Sequence, residues 1–297
     1  MSALKHYRRW RAERANARGN EALDRRALAE AASFYRRAIT FDSSYSTPLY
    51  NLGLVHKWRR EWRPSLECNE RALALDPGNQ GACWNLGIAA TAVGEWPIAR
   101  RAWTHYGISV PEGEGPIDGD LGLVPIRLSP DSAPEVIWCR RLDPARARIT
   151  GVPFPESDRR FGDLLLHDGE PRGTRRIGGR EVSVFDEIVV LEASRAVTYA
   201  AVVDAPSADD SFALETALGQ AGHGAEDWTR TVRLFCTACS EGKAHEHEEP
   251  AERAEKEWNK ERSFGIGSMD GAAIEPVLAE WAAGAPGRAI LRVERVL

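Results

Sequence analysis

Residues 80–111 read QGACWNLGIAATAVGEWPIARRAWTHYGISVP, and this stretch decides the fold of the first third of the chain. Its landmarks return upstream at one interval. Gly87, Gly53 and Gly19 lie 34 residues apart, as do Leu86 and Leu52, Asn85 and Asn51, Ala72 and Ala38, and Pro111 and Pro77. A period kept at this many positions marks repetition of one supersecondary unit, and outweighs any single motif.

Leu86-Gly87, Ala99-x3-Trp103 and the closing Pro111 stand in the slots of the tetratricopeptide pattern, so residues 12–111 resemble the tetratricopeptide repeat (TPR) family. The resemblance implies three helix pairs, 12–45, 46–79 and 80–111, within an N-terminal domain 1–111. Small residues are expected where the two helices of a pair cross, Gly53 or Gly87 on the first and Ala31 or Ala99 on the second, with large aromatics filling the space beside them. One pair cannot bury its own apolar face, and three are about the smallest stable stack.

In this family the first helices line a concave groove that binds peptides. The resemblance places Tyr50, Asn51, Leu54, Lys57, Trp58, Trp84, Asn85 and Ile88 there as partner-binding residues. A row of Asn side chains suits an extended backbone, because each amide offers a donor and an acceptor. The competing reading of the aromatics is packing between repeats. Family members that grip a C-terminal carboxylate do so with Lys and Arg, whereas Asn16, Gly81 and Asn85 occupy those slots here; only Asn20 and Asn51 match.

In the first repeat Arg18 takes the usual Leu slot, and Arg11, Arg14 and Arg18 share one helical face. A solvated capping face is the expected reading. Surfaces for single-stranded nucleic acid interleave aromatic residues with the charges, and no such interleaving is read along this face. Nucleic acid is therefore not expected as a partner.

The whole chain has 297 residues, 43% hydrophobic and 28% charged, enough for two or three globular domains. No apolar run approaches the ~18 residues of a membrane span, and MSALKHYRRW lacks the apolar core of a signal peptide. Five cysteines, mostly far apart, do not form a disulfide framework, so a cytoplasmic protein with no membrane partner is expected. Charge is divided unevenly. Up to Pro111 there are 17 Lys and Arg against 10 Asp and Glu, and beyond it 22 against 34.

After Pro111 the Gly/Pro/acid segment PEGEGPIDGDLG ends the helical period. Short Val/Ile/Leu-rich runs at 124–128, 135–140, 146–152, 163–166, 181–185 and 187–191 predict a small β-rich barrel or sandwich, domain 112–195. From 196 the order changes: a strand VTYAAVV, a helix capped by Ser207 or Ser211 and ending at Gly219, a strand TRTVRLF, a polar insertion, a strand FGIGS, a helix 272–283 and a strand AILRVERV. Strand-helix-strand twice predicts a ferredoxin-like α+β domain, 196–297. The fold class is thus multidomain, α and α+β.

Ligand chemistry concentrates in the insertion at 236–247. Cys236-x2-Cys239-x5-His245-x-His247 offers two thiolates and two imidazoles, a zinc-knuckle-like set for one structural Zn²⁺ with no open position. Metal content of the purified protein tests this. Gly265-x-Gly267 is read as a turn before a helix cap, since its next glycine falls one place late for a dinucleotide fingerprint. His167-Asp168 has no nucleophile elbow to serve, and Asp168-Gly169 reads as a hairpin turn. No catalytic residue is assigned, and the chain is not expected to be an enzyme.

These readings point to a non-enzymatic protein–protein interaction protein of bacterial type using its repeat groove. Its narrower form is an immunity or antitoxin-like protein whose acidic body opposes a basic toxin, or else a binder of an extended peptide. The competing class places an enzyme or nucleic-acid module in the C-terminal region, with the repeats as a targeting arm.

Overall fold

A computed structural model describes residues 2–130, 135–177, 180–230 and 258–297. The expected metal ligands Cys236, Cys239, His245 and His247 lie outside the described residues. The chain divides into two compact units, Met1–Gly119 and Asp120–Leu297.

The first unit contains six helices in three antiparallel pairs: α1 (Ser2–Asp24) with α2 (Leu28–Phe41), α3 (Ser46–Trp58) with α4 (Trp62–Leu75), and α5 (Gln80–Ala92) with α6 (Trp96–Tyr106). Each pair reverses at a left-handed residue in the same slot: Arg26 (φ 57°), Arg60 (φ 60°) and Gly94 (φ 73°), again 34 residues apart. Asn79 caps α5 by accepting from the Ala82 N–H at 2.9 Å, and Gly107 (φ 97°) ends α6.

Each first-helix glycine meets one large side chain from its second helix, 16 residues on. A Cβ at Gly19 would sit 2.4 Å from the Tyr35 ring, at Gly53 2.5 Å from the Asn69 amide, and at Gly87 2.5 Å from the Trp103 ring. The close crossing therefore requires hydrogen on the first helix and a projecting side chain on the second. In the middle pair that side chain is polar: Asn69 Nδ2 donates to Ser65 O at 2.8 Å, while Ser65 Oγ donates to Gly53 O at 2.9 Å across the crossing.

The second unit begins with six strands: β1 (Leu123–Leu128), β2 (Glu135–Arg141), β3 (Arg146–Ile149), β4 (Leu164–His167), β5 (Gly173–Ile177) and β6 (Arg180–Glu192). Their order is β1-β2-β3-β4-β6-β5 with an added parallel pairing of β1 to β6, so that β1, β2, β3, β4 and β6 close a barrel. Alternate residues Val124, Ile126 and Leu128, Ile137 and Cys139, and Ala147 and Ile149 fill it with Leu165 and Phe185. The sequence predicts two strands at 181–185 and 187–191. One long strand runs through instead, pairing first with β5, then β1, then β4.

A second sheet follows: β7 (Val197–Asp204), α7 (Ala208–Gln220), β8 (Gly224–Asp227), β9 (Glu261–Ser268), α8 (Ile274–Ala283) and β10 (Ala289–Arg295). Strand order is β10-β7-β9-β8, antiparallel throughout. Ser207 caps α7, its side chain accepting from the Asp210 N–H. Leu214, Leu218, Leu278 and Trp281 of the two helices pack on Ala201, Val203, Phe264 and Ile266, one face of the sheet. The strand predicted at 229–235 is not seen where it is described. Residues 224–227 form the strand, 228–230 turn, and 231–235 lie outside the described residues.

Gly265 and Gly267 also differ from expectation, being inside β9 rather than in a turn before a helix. A Cβ at 265 would lie 2.2 Å from the Trp228 ring, and one at 267 2.4 Å from the side chain of Phe161. Bare backbone on this face of the sheet makes room for two rings. Trp228 Nε1 in turn donates to Val152 O at 2.9 Å, tying the sheet to the barrel.

Candidate functional site

The groove residues lie on α3 and α5, with α1 contributing Asn16 and Asn20. Asn51 Nδ2 donates to Asn16 Oδ1 at 3.0 Å and to Asn20 Oδ1 at 3.2 Å, joining the first two pairs by amides. Tyr35 Oη donates to the same Asn20 Oδ1 at 2.9 Å. One pair further along, Lys57 Nζ donates to Asn85 Oδ1 at 3.0 Å. A line of polar groups thus crosses the first helices of all three repeats, each held by its neighbour.

Exposure differs sharply among the eight positions. Trp58 is 49% exposed, and Tyr50, Asn51, Leu54 and Trp84 are half-buried. Lys57 and Asn85 are buried, at 5% and 4%, and Ile88 has no exposed surface. Ile88 therefore serves as packing beneath the polar line, and not as a side chain that a ligand touches in this conformation. The Tyr50 ring lies over Gly81, where a Cβ would be 2.9 Å from its hydroxyl, so the glycine in a cation slot is the space that Tyr50 fills. Trp84 stacks edge-on with Trp103 (5.0 Å between ring centres) and Tyr106 (4.8 Å). These ring contacts are the ones the competing reading, aromatic packing, expects, while the half-buried ring keeps part of its surface open.

The basic face of the first repeat departs from expectation. Arginines 11, 14 and 18 are not free of aromatic neighbours: Phe34 and Phe41 come across from α2, and Tyr7 and Trp10 stand one turn upstream on α1. A reading confined to the helix that carries the arginines does not find rings supplied by its neighbour.

In the second unit the titratable interior argues for structure. His167 is buried, with Nδ1 donating to Asp168 O at 3.0 Å, and its ring lies 5.3 Å from that of Phe185. Burial, reinforced by the Arg141 charge, lowers its pKa from 6.5 to about 4. The unfolded chain takes up this proton below about pH 6.5, the folded chain only near pH 4. Stability therefore falls with pH across that window, by about 3 kcal/mol in all. Urea titrations at pH 7, 5.5 and 4 check it, and His167→Gln is expected to flatten the slope; an unchanged slope would refute the assignment.

Burial raises the Cys139 thiol well above its ordinary range and the Cys68 thiol to about 11, so neither is a ready nucleophile. Among the described residues no three His, Cys, Asp or Glu are grouped to hold a metal ion, and no helix is long and apolar enough to cross a membrane.

No family model matches the chain, and no curated protein does. Solved structures to which it is similar include three TPR domains. The Arabidopsis OM64 TPR domain is 19% identical, with 33% of this chain and 82% of that one covered and a TM-score of 0.32. The second TPR of Spaghetti (RPAP3), bound to the HSP90 peptide SRMEEVD, is 19% identical over 36% and 96%, with a TM-score of 0.34. The Sgt2 TPR domain from Aspergillus fumigatus is 21% identical over 32% and 63%, with a TM-score of 0.30. The helix pairs, their 34-residue period and the glycine at each crossing make the N-terminal unit a stack of TPR-like repeats.

Proposed function

We propose that this chain is a protein–protein interaction protein whose first-helix groove binds a peptide segment of its partner. The observation that carries the reading is the accessible amide pair Asn51–Asn20, held from beneath by the buried Asn16, with Trp58 exposed at the end of α3. Amides fixed by one another are preorganised to meet a peptide backbone, and an exposed Trp is the side-chain type most often found as an anchor.

Peptides selected by the full chain from a random heptamer library test this. Trp58→Ala is expected to weaken the recovered peptides by about 2 kcal/mol, and Asn51→Ala by about ten-fold. Recovery of no peptide, or equal binding by both variants, would sink the groove reading.

The narrower role, an immunity or antitoxin-like protein, rests on the acidic excess beyond Pro111, 34 Asp and Glu against 22 Lys and Arg. It requires a basic partner whose association slows as salt rises; a salt-independent on-rate would count against it. The strand order β10-β7-β9-β8 with two helices on one face supports a ferredoxin-like reading of the second sheet. A structural Zn²⁺ at Cys236, Cys239, His245 and His247 completes the proposal, with an absence of zinc in the purified protein as the opposing result.

A further inference from the structure

Two rows of side chains face each other across the first helix pair. Arg11, Arg14 and Arg18 stand on α1 at intervals of three and four; Phe34, Arg37 and Phe41 stand on α2 at the same intervals. With Trp10 they line an open cleft of about 170 Å³, floored by Ala15. The guanidinium of Arg11 lies 4.0 Å from the centre of the Phe41 ring, that of Arg14 4.9 Å from Trp10, and that of Arg37 5.9 Å from Phe34. Upstream, the rings of Tyr7 and Trp10 lie 6.0 Å apart at 23°, and they are 54% and 49% exposed.

We propose that this face binds single-stranded nucleic acid, phosphates on the arginines and bases on the exposed rings. Charge supports it first. Among the described residues, no carboxylate pairs with Arg11, Arg14, Arg18 or Arg37, although Arg9 and Arg25 nearby are paired with Glu13, Asp42 and Glu30. Four cations without counter-charges on one small face attract an anionic polymer.

Shape supports it next. The cleft is small and open, about 170 Å³ against the ~300–1,000 Å³ of a usual small-molecule site. A flexible strand that touches several shallow places suits it. Every cation here is arginine, whose plane stacks as well as pairs, and exposed aromatic faces next to arginine are what unpaired bases require. A peptide of Asp and Glu alone would use the charges without stacking on the rings of Tyr7 and Trp10, which is why poly-glutamate is the discriminating competitor.

The face is separate from the groove. Arg14 and Arg18 each stand two residues before Asn16 and Asn20, about 200° around α1. Peptide binding in the groove and strand binding here can therefore be removed independently.

The experiment is anisotropy of a labelled single-stranded 20-mer RNA or DNA titrated with the full chain at 50–200 mM NaCl. Binding is expected to weaken with salt, with a log–log slope near −3 for four phosphate contacts at about −0.7 each. Arg14→Gln with Arg18→Gln should make the slope shallower by about 1.4, while Trp10→Ala should weaken binding about ten-fold with little change in slope. Circular dichroism verifies folding, and Asn51→Ala should bind the strand like wild type. The proposal is overturned by no binding at 50 mM NaCl, by binding indifferent to both sets of substitutions, or by a poly-glutamate peptide that binds as tightly and ignores Trp10→Ala.

Discussion

Trp103→Ala is expected to lower the stability of the repeat unit by about 3–5 kcal/mol, the range for removing a fully buried Trp. Trp103 has no exposed surface, its ring fills the gap that Gly87 leaves, and Trp84 stacks against it at 5.0 Å. Gly87→Ala attacks the same contact from the other helix, since the new Cβ would sit 2.5 Å from the ring. The two changes should not add: once the ring is gone, the methyl group has room, and the double variant should be more stable than the sum predicts. Urea unfolding followed by helical circular dichroism measures all three. A Trp103→Ala midpoint equal to wild type would refute the crossing as the source of stability.

A loss of similar size is expected in the second unit from Arg262→Met. Arg262 and Asp227 are both fully buried, with Arg262 Nε donating to Asp227 Oδ2 at 3.0 Å and Nη2 2.9 Å from the same oxygen. Trp258 covers the guanidinium at 4.4 Å. Ser211 Oγ donates to Asp227 Oδ2 at 2.8 Å, and Oδ1 accepts from the backbone N–H groups of Thr229 and Arg230. Removing the cation leaves a buried carboxylate without the guanidinium it pairs with, which costs about 3–5 kcal/mol for a pair of this kind. Asp227→Asn, which keeps an acceptor oxygen for those donors, should cost less than Asp227→Ala. Unfolding monitored by tryptophan fluorescence would show it. Equal stability of Arg262→Met and wild type would mean that the pair is replaceable by packing alone.

The repeats were legible because a period survives substitution at any single position, and Gly19, Gly53 and Gly87 all keep it. Their opposing side chains were harder to read. Tyr35 and Trp103 are aromatic, but the same slot holds Asn69, whose amide nitrogen donates to the Ser65 carbonyl. The reversal slot was hidden too, since two of its three left-handed residues are arginine rather than glycine. In the second unit, strands β1 to β4 announced themselves as short Val/Ile/Leu-rich runs, whereas GTRRI of β5 is mostly arginine and glycine and GAED of β8 has no β-branched or aromatic residue. Those two strands are held by their neighbours in the sheet. The groove shows the same limit: Asn51 and Lys57 were found through their slots, but the burial of Asn85 and Ile88 depends on tertiary packing.

The 16-residue step between each crossing glycine and its opposing side chain also fixes how far along the chain a contact must reach. Every such contact closes a short loop, and the next repeat adds to a surface already made. The second unit is built differently. Ile126 pairs with Phe185, 59 residues away, and Tyr199 with Arg295, 96 away. Closing these longer loops costs more entropy before any pairing rewards it, and such topologies form more slowly. During synthesis the three helix pairs can each be completed within tens of residues of leaving the ribosome. The last sheet has to wait for β10, the final strand, before its order is complete.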